Sequence, residues 1–115
     1  MQNVVFTGHL AADPEQSSFG DNKSKVVFRL IENRGTDSQG KERTVGVSCV
    51  SWSHGLNTKV IMPGLAKGCQ AIVIGYFVET QWEGQDGAVR FAKELVVERL
   101  RVLDWADRDD DQLAA

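Results

Sequence analysis

The sequence of 115 residues lacks any apolar run near the roughly 20 residues that span a membrane. Its first residues, Met1-Gln-Asn, also lack the basic and apolar regions of a secretory signal. Cysteine is scarce, and Cys49 and Cys69 lie singly in apolar segments, which favours small buried side chains over a disulfide or metal ligands. With 42% hydrophobic residues, we expect one globular domain in the reducing cytoplasm.

Motifs typical of enzymes are absent as well. The sequence has no Gly-x-x-x-x-Gly-Lys-Ser/Thr phosphate loop, no His-Glu-x-x-His pair and no nucleophile elbow. His9 and His54 lack the spacing of metal ligands, so we expect His9 on a strand, facing solvent or another subunit, and His54 at the start of a helix. We therefore predict a protein that is not an enzyme and holds no metal.

Strong charge of one sign is missing from most of the chain. The net charge is −3, but residues 104–115 alone carry −4, and residues 1–103 carry +1. We expect residues 1–103 to form the domain and residues 104–115 to form a short, disordered acidic tail. Because the domain is nearly neutral, any surface that binds a polyanion must be a local stripe of cations.

What the sequence does contain is the period of two that is typical of strands. Five strands are predicted, at residues 4–10, 26–31, 44–52, 69–78 and 89–103. The fourth is nearly continuous in apolar residues, which predicts burial on both faces or at a subunit contact. Residues 54–65 are the only helix candidate, and Pro63-Gly64 should end it because proline lacks the amide donor.

Two polar, glycine-containing segments, 33–43 and 84–87, predict an extended hairpin loop and a hairpin turn. Five strands with one helix between the third and the fourth match an all-β Greek-key barrel of the OB type, whose open face and loops commonly hold oligonucleotides. Many functions occur on this barrel, so the site must be argued from its own residues.

Trp82 lies near the tip of the last predicted hairpin, with Arg90 and Phe91 on the returning strand. An exposed indole on a polar arm suits stacking on nucleobases, which contributes about 1–3 kcal/mol per base and tolerates any sequence. A tryptophan that covers the base of the hairpin, or that packs at a subunit contact, is the alternative. Trp52 follows the small residues Gly46 and Ser48 on one strand face, which suits a second stacking surface, although it could instead cap the barrel.

Basic residues accompany these aromatics on segments that should protrude. They could follow a phosphate backbone, or they could simply be solvated at hairpin tips. The candidates are Arg34, Lys41 and Arg43 in the second hairpin loop, Lys67 before the fourth strand, and Arg90 beside Phe91.

Across residues 2–103 the chain resembles the bacterial single-stranded DNA-binding protein family. The matching segments are Asn3-Val-Val-Phe-Thr-Gly-His-Leu10 with Asp13-Pro-Glu15, Val26-Val-Phe-Arg-Leu30 with Asn33-Arg34, Cys49-Val-Ser-Trp52, Leu65-Ala-Lys-Gly68, Ile72-Val-Ile-Gly-Tyr76, and Trp82 with Asp86-Gly87 and Arg90-Phe91. The resemblance implies an OB fold, usually a homotetramer, that wraps single strands without a cofactor or catalysis. It places stacking on Trp52 and Trp82, and basic contacts on Lys41, Lys67, Arg34, Arg43 and Arg90.

The chain departs from this family at three places. Gly35 and Gly46 stand where the family often has aromatic residues, and Val78-Glu-Thr-Gln81 replaces an often basic arm, so weaker and less salt-dependent binding is expected. The acidic tail ends in Gln-Leu-Ala-Ala115, without the terminal Phe that docks on replication and repair proteins in the family. These departures suggest a compact variant, as found on phages or plasmids, that recruits such partners weakly.

The sequence thus favours non-specific binding of single-stranded DNA in replication, recombination or repair, by a homo-oligomer that is a tetramer or a dimer. The alternative is an accessory protein of the primosome type, built on the same barrel, that acts mainly through contacts with other proteins.

Overall fold

The computed structural model describes residues 2–104, and the predicted tail lies outside them except for Asp104, the last residue of the final strand. The boundary between domain and tail stays a prediction. Six strands are present: β1 (Val4–Leu10), β2 (Glu15–Ser18), β3 (Ser24–Thr36), β4 (Glu42–Ser51), β5 (Gln70–Glu83) and β6 (Val89–Asp104). Within residues 2–104, no helix is long and apolar enough to cross a membrane.

The strands close into a ring in the order β1-β5-β6-β4-β3, which returns to β1. All neighbours are antiparallel except β4 and β6, which run parallel and pair at Cys49 with Leu95 and at Val50 with Val96. The ring returns to β1 through His9 and Leu10, which pair with β3. The OB-type barrel predicted from the sequence is therefore confirmed.

The first strand of the barrel is interrupted, which the sequence did not predict. β1 and β2 both pair with β3, β1 at Leu30 and Ile31, and β2 along residues 24–27. Pro14 and the residues before it separate the two segments, since proline cannot donate a ladder hydrogen bond. β2 thus continues the line of β1 along the same neighbour.

Two long hairpins extend from the barrel. The β3–β4 arm is paired as far as Thr36 and Glu42, so much of the predicted loop 33–43 is strand and only residues 37–41 form its tip. Asp37 closes that tip, because its Oδ1 accepts the backbone N–H of Lys41 at 2.9 Å. The β5–β6 arm is paired from Gln70 to Glu83 and turns at residues 84–88.

The predicted helix is present between β4 and β5 but is irregular. It consists of α1 (His54–Leu56), a π-helical turn (Asn57–Ile61) and α2 (Met62–Gly64), so it ends at the predicted Pro63-Gly64. Ser53 caps its start, with Oγ accepting the N–H of Leu56 at 3.3 Å.

The core lies inside the ring and follows the alternation of the strands. Its members are Leu10, Val26, Phe28, Leu30, Val47, Cys49, Cys69, Ala71, Val73, Leu95 and Val97, together with Ile61 and Leu65 from the helical segment. The sequence predicted that β5 is buried on both faces or at a subunit contact. Within the described chain Ala71, Val73 and Gly75 are buried, while Ile72 and Ile74 are partly exposed, so the subunit contact stays a prediction. The apolar run in β5 therefore leaves one half-covered face.

A close backbone approach at Gly75 should make this glycine essential to the barrel. A β-carbon there would collide with the carbonyl oxygen of Val96, beside the bulge in the β5–β6 pairing. Because two paired backbones cannot move apart cheaply, we expect Gly75→Ala to lower the free energy of unfolding by about 3 kcal/mol in urea titrations. Gly55→Ala is the control, since no heavy atom lies within 4 Å of its β-carbon. Equal midpoints for the two variants would contradict this packing.

Burial of the Cys49 thiol should make stability depend on pH in alkali. Desolvation raises the pKa of Cys49 from 9.0 to about 12, against the opposing influence of the Arg29 charge. Above pH 9.0 the unfolded chain loses this proton while the folded chain keeps it, so stability falls as pH rises toward 12. The loss should approach about 1.4 kcal/mol per pH unit. Cys49→Val should remove this part of the slope in urea titrations, and an unchanged slope would refute the assignment.

Candidate nucleic-acid interface

Trp82 lies on the β5–β6 arm in the register predicted from the sequence. Trp82 pairs with Arg90, and the neighbouring Gln81 pairs with Phe91. Residues that are directly opposite share a face, so Trp82 and Arg90 lie on one face of the arm and Phe91 on the other. Trp82 is 48% exposed and Phe91 59% exposed, so neither ring is sealed within the described chain. The arm thus presents an aromatic ring on each face.

Arg90 is held by the turn of its own arm. Its Nη2 donates to Asp86 Oδ2 at 2.9 Å, while Asp86 Oδ1 accepts the backbone N–H of Ala88 at 3.0 Å. Gly84 leaves room for this arrangement, since a β-carbon there would lie 2.9 Å from Arg90 Nε. The Asp86 carboxylate therefore partly balances the charge of Arg90, the residue paired with Trp82.

Trp52 lies just beyond the end of β4 and is 55% exposed. Phe19 packs beside it at a centroid distance of 6.1 Å, with the ring planes tilted by 42°. The Lys25 Nζ lies 5.1 Å from the centre of the Trp52 ring, in a cation–π contact. Phe19 and Lys25 were both missed from the sequence. The β3–β4 pairing places Lys25 beside the end of β4, and the turn between β2 and β3 brings Phe19 to the same place.

A polar cluster fixes the chain beneath Trp52. Asn57 is fully buried, and its Nδ2 donates to Ser51 O at 3.2 Å and to Ser24 Oγ at 3.1 Å. The Ser24 hydroxyl also hydrogen-bonds His54 Nδ1 at 2.9 Å. These bonds join β3, β4 and the helical segment. They therefore hold the backbone on both sides of Trp52 in place.

The β3–β4 arm carries three of the predicted basic residues, and all three are exposed. Arg34 is paired with the Glu32 carboxylate. Lys41 and Arg43 form no ion pair with any residue in the described range 2–104. The arm therefore offers two unpaired cations near its tip and one that is already engaged.

Lys67 belongs to the turn that precedes β5. Its backbone N–H donates to Asp13 Oδ1 at 2.8 Å, which ties the turn to the break between β1 and β2. The Lys67 side chain is exposed. It lies apart from both arms, so the predicted basic residues do not form one cluster.

The strand register relates the two tryptophans. Val47, Cys49 and Leu95 are buried in the core, so the alternate residues Ser48 of β4 and Arg90 of β6 point outward. Trp52, which follows the end of β4, is exposed on the same side. Because Cys49 pairs with Leu95 in parallel, Arg90 and its partner Trp82 lie level with the first residues of β4, whereas Trp52 lies beyond its last residue. Both indoles therefore lie on the outer side of the barrel, at opposite ends of it.

Arg29 lies on this outer surface between the two ends, and the sequence reasoning missed it. It belongs to β3 opposite Ser48, to whose Oγ it donates at 3.3 Å. Two shallow grooves of about 300 and 280 Å³ meet at these two residues. The signal available in the sequence was the alternation of Lys25 and Arg29 with buried apolar residues, which places both cations on the outer face of β3.

Comparison with known proteins agrees with this arrangement. The Single-strand binding protein family matches residues 1–103. A curated relative from Chlamydia trachomatis, "Single-stranded DNA-binding protein", is 31% identical over 103 residues, covering 90% of this chain and 63% of its own length. "Single-stranded DNA-binding protein 3" of Clostridium acetobutylicum is 25% identical, covering 99% of this chain and 78% of its own length.

A solved structure, "Plasmodium falciparum SSB complex with ssDNA", superposes with a TM-score of 0.78 and covers 90% of this chain and 96% of its own. At 17% sequence identity, this likeness supports the fold alone. The family match, by contrast, extends over every strand that forms the barrel and both arms. The chain belongs to the Single-strand binding protein family.

Proposed function

We propose that this chain binds single-stranded DNA without sequence preference, in replication, recombination or repair in the cytoplasm, with no cofactor and no catalytic step. The observation that carries the proposal is the exposure of two indoles, 55% for Trp52 and 48% for Trp82, on the outer surface of an OB barrel. A large aromatic ring costs free energy in water, so two such rings beside cations are best explained by a ligand that covers them.

In this proposal Trp52 and Trp82 stack on bases, with Phe91 as a further ring on the arm. Lys41, Arg43 and Lys67 contact phosphates, and Arg34 and Arg90 do so by exchanging their carboxylate partners for phosphate oxygens. Membership of the Single-strand binding protein family supports the same class of ligand.

A fluorescence titration with oligo-dT tests the stacking. Trp105→Phe provides the background, so that the emission comes only from Trp52 and Trp82. We expect strong quenching, and we expect Trp52→Ala and Trp82→Ala each to weaken binding about tenfold, because each removes one stacked base. With five phosphate contacts in this proposal, log K should fall with log salt at a slope of about −3.5.

Two outcomes of this titration would contradict the proposal. The absence of quenching and of binding at low salt would eliminate single-strand binding. Weak affinity that is unchanged in Trp82→Ala, combined with a stable complex with another protein, would favour the accessory role of the primosome type. Partner proteins recruited through the acidic residues after position 103 stay a prediction from the sequence.

We also propose that the chain forms a homo-oligomer, a tetramer or a dimer, through the free edge of β1. β1 pairs with β5 from Val4 to His9, but it pairs with β3 only at His9 and Leu10. Among the described residues, the other edge of residues 4–8 therefore has no strand beside it. An open edge with an exposed valine, Val5 at 55%, favours pairing with a second copy.

Val5→Lys should lower the oligomeric state, because a charge on this edge disfavours strand pairing between copies. Sedimentation velocity or light scattering would measure the change in mass. Val89→Lys is the matched control, since this valine on the β5–β6 arm is similarly exposed, at 51%. A parent protein that is monomeric, or a Val5→Lys variant of unchanged mass, would refute this interface.

A further inference from the structure

The outer surface between Trp52 and Trp82 contains a flat cationic group that neither the sequence nor the family match assigns. The Arg29 guanidinium lies across the α-carbon of Gly46, on the neighbouring strand. A β-carbon at Gly46 would lie 2.8 Å from Arg29 Cζ and 3.1 Å from its Nε, and closer still to Nη2. The guanidinium thus occupies the space that any side chain at position 46 would need.

The position of Arg29 is defined but its charge is left available. Nη1 donates to Ser48 Oγ at 3.3 Å, which anchors one end of the group on β4. No carboxylate of residues 2–104 forms an ion pair with it, whereas Arg34 and Arg90 each hold one. Arg29 is also exposed, so the guanidinium has a side open to solvent. A fixed, planar and unpaired cation on a surface is suited to contact a ligand.

The surroundings of Arg29 have room for a base. One groove at Arg29 and Ser48 extends toward Val27 and Glu94, and the other extends along Gly46 toward Phe77. The second groove also contains Lys93, whose Nζ lies 5.7 Å from the centre of the Phe77 ring. Trp52 follows Ser48 by four residues, just past the end of β4. The Arg29–Ser48 contact is therefore about 13 Å from Trp52 along the direction of β4.

We propose that Arg29 is a stacking platform for one nucleobase of the bound single strand, in place of an aromatic side chain at position 46. A guanidinium plane stacks on a base while its charge attracts the adjacent phosphate. An ammonium has the charge but no plane that could stack. The glycine is then a requirement of the site, because only an absent side chain lets the guanidinium lie on the sheet. This inference rests on the proposed binding of single-stranded DNA and adds a third base contact between the two indoles.

Three variants at these positions separate stacking from charge, with oligo-dT as the probe. Arg29→Ala removes both and should weaken binding about tenfold, in line with the loss of one stacked base. Arg29→Lys keeps the charge but loses the plane, so it should keep the parent's salt slope and still bind about fivefold more weakly. Gly46→Ala displaces the guanidinium without changing the charge and should resemble Arg29→Lys.

Gly55→Ala is the matched control for the glycine substitution, because it adds a β-carbon where no atom lies within 4 Å. Thermal unfolding of each variant checks that the barrel is intact, and tryptophan quenching at saturation checks that both indoles still stack. Affinity that follows the order parent, Arg29→Lys, Arg29→Ala, with quenching retained, supports the inference.

Other results overturn it while leaving the proposed function intact. If Arg29→Lys binds as tightly as the parent and Arg29→Ala only lowers the salt slope, Arg29 contacts a phosphate and not a base. If Arg29→Ala binds within twofold of the parent, and quenching by oligo-dT is normal, Arg29 contacts nothing. A parent protein that neither binds oligo-dT nor shows quenching would overturn the proposed function and this inference together.

Discussion

Closure of the ring through β4 and β6 is the constraint on which the rest of the surface depends. Only Cys49 with Leu95 and Val50 with Val96 are paired across this parallel contact. Because side chains alternate along a strand, this register decides which residues of β4 and β6 enter the core. A slip of β4 by one residue would turn Cys49 outward and Ser48 inward, and a slip of β6 would turn Leu95 outward. Because β4 and β6 run parallel, both hairpin arms extend from one end of the barrel and Trp52 lies at the other end. The pairing of β4 with β6 therefore determines where the two indoles lie.

The described surface relies on aromatic and planar groups more than on net charge. The chain as a whole is acidic, and two of the five predicted basic residues already hold carboxylates. Two cations lie against flat surfaces, with the partly buried Lys25 over the Trp52 ring and the exposed Arg29 against Gly46. Stacking contributes about 1–3 kcal/mol per base and is little affected by salt, whereas phosphate contacts weaken steeply as salt rises. In a chain with few unpaired cations, each stacked ring or guanidinium plane therefore supplies a larger share of the binding free energy.

Much of the fold could be predicted from the sequence, because it depends on local signals. Alternation in β1 and the proline-glycine pair that ends the helical segment gave bounds that agree with the structure. The break at Pro14 and the strand β2 were missed because Glu15–Ser18 has no buried residue and pairs only through its backbone. Among the site residues, the pairing of Trp82 with Arg90 followed from one hairpin. Alternation along β3 places Arg29 on the outer face, but its contact with Gly46 depends on the exact β3–β4 register. The Phe19 contact with Trp52 joins the β2–β3 turn to the end of β4, so no local pattern predicts it.

The ion pairs on the arms are compatible with phosphate binding when their energies are compared. Arg90 and Asp86 are both more than half exposed, and Arg34 is similarly exposed beside Glu32. Exposed pairs of this kind are worth about 0–1 kcal/mol, because water and salt screen both charges. An arginine that leaves such a carboxylate for a phosphate oxygen gives up little and releases counterions from the nucleic acid. Without a ligand, the pairs limit the positive charge beside exposed rings, and Asp86 Oδ1 keeps the turn closed through Ala88 in either state. The arms can therefore keep their backbone shape while their charges change partners.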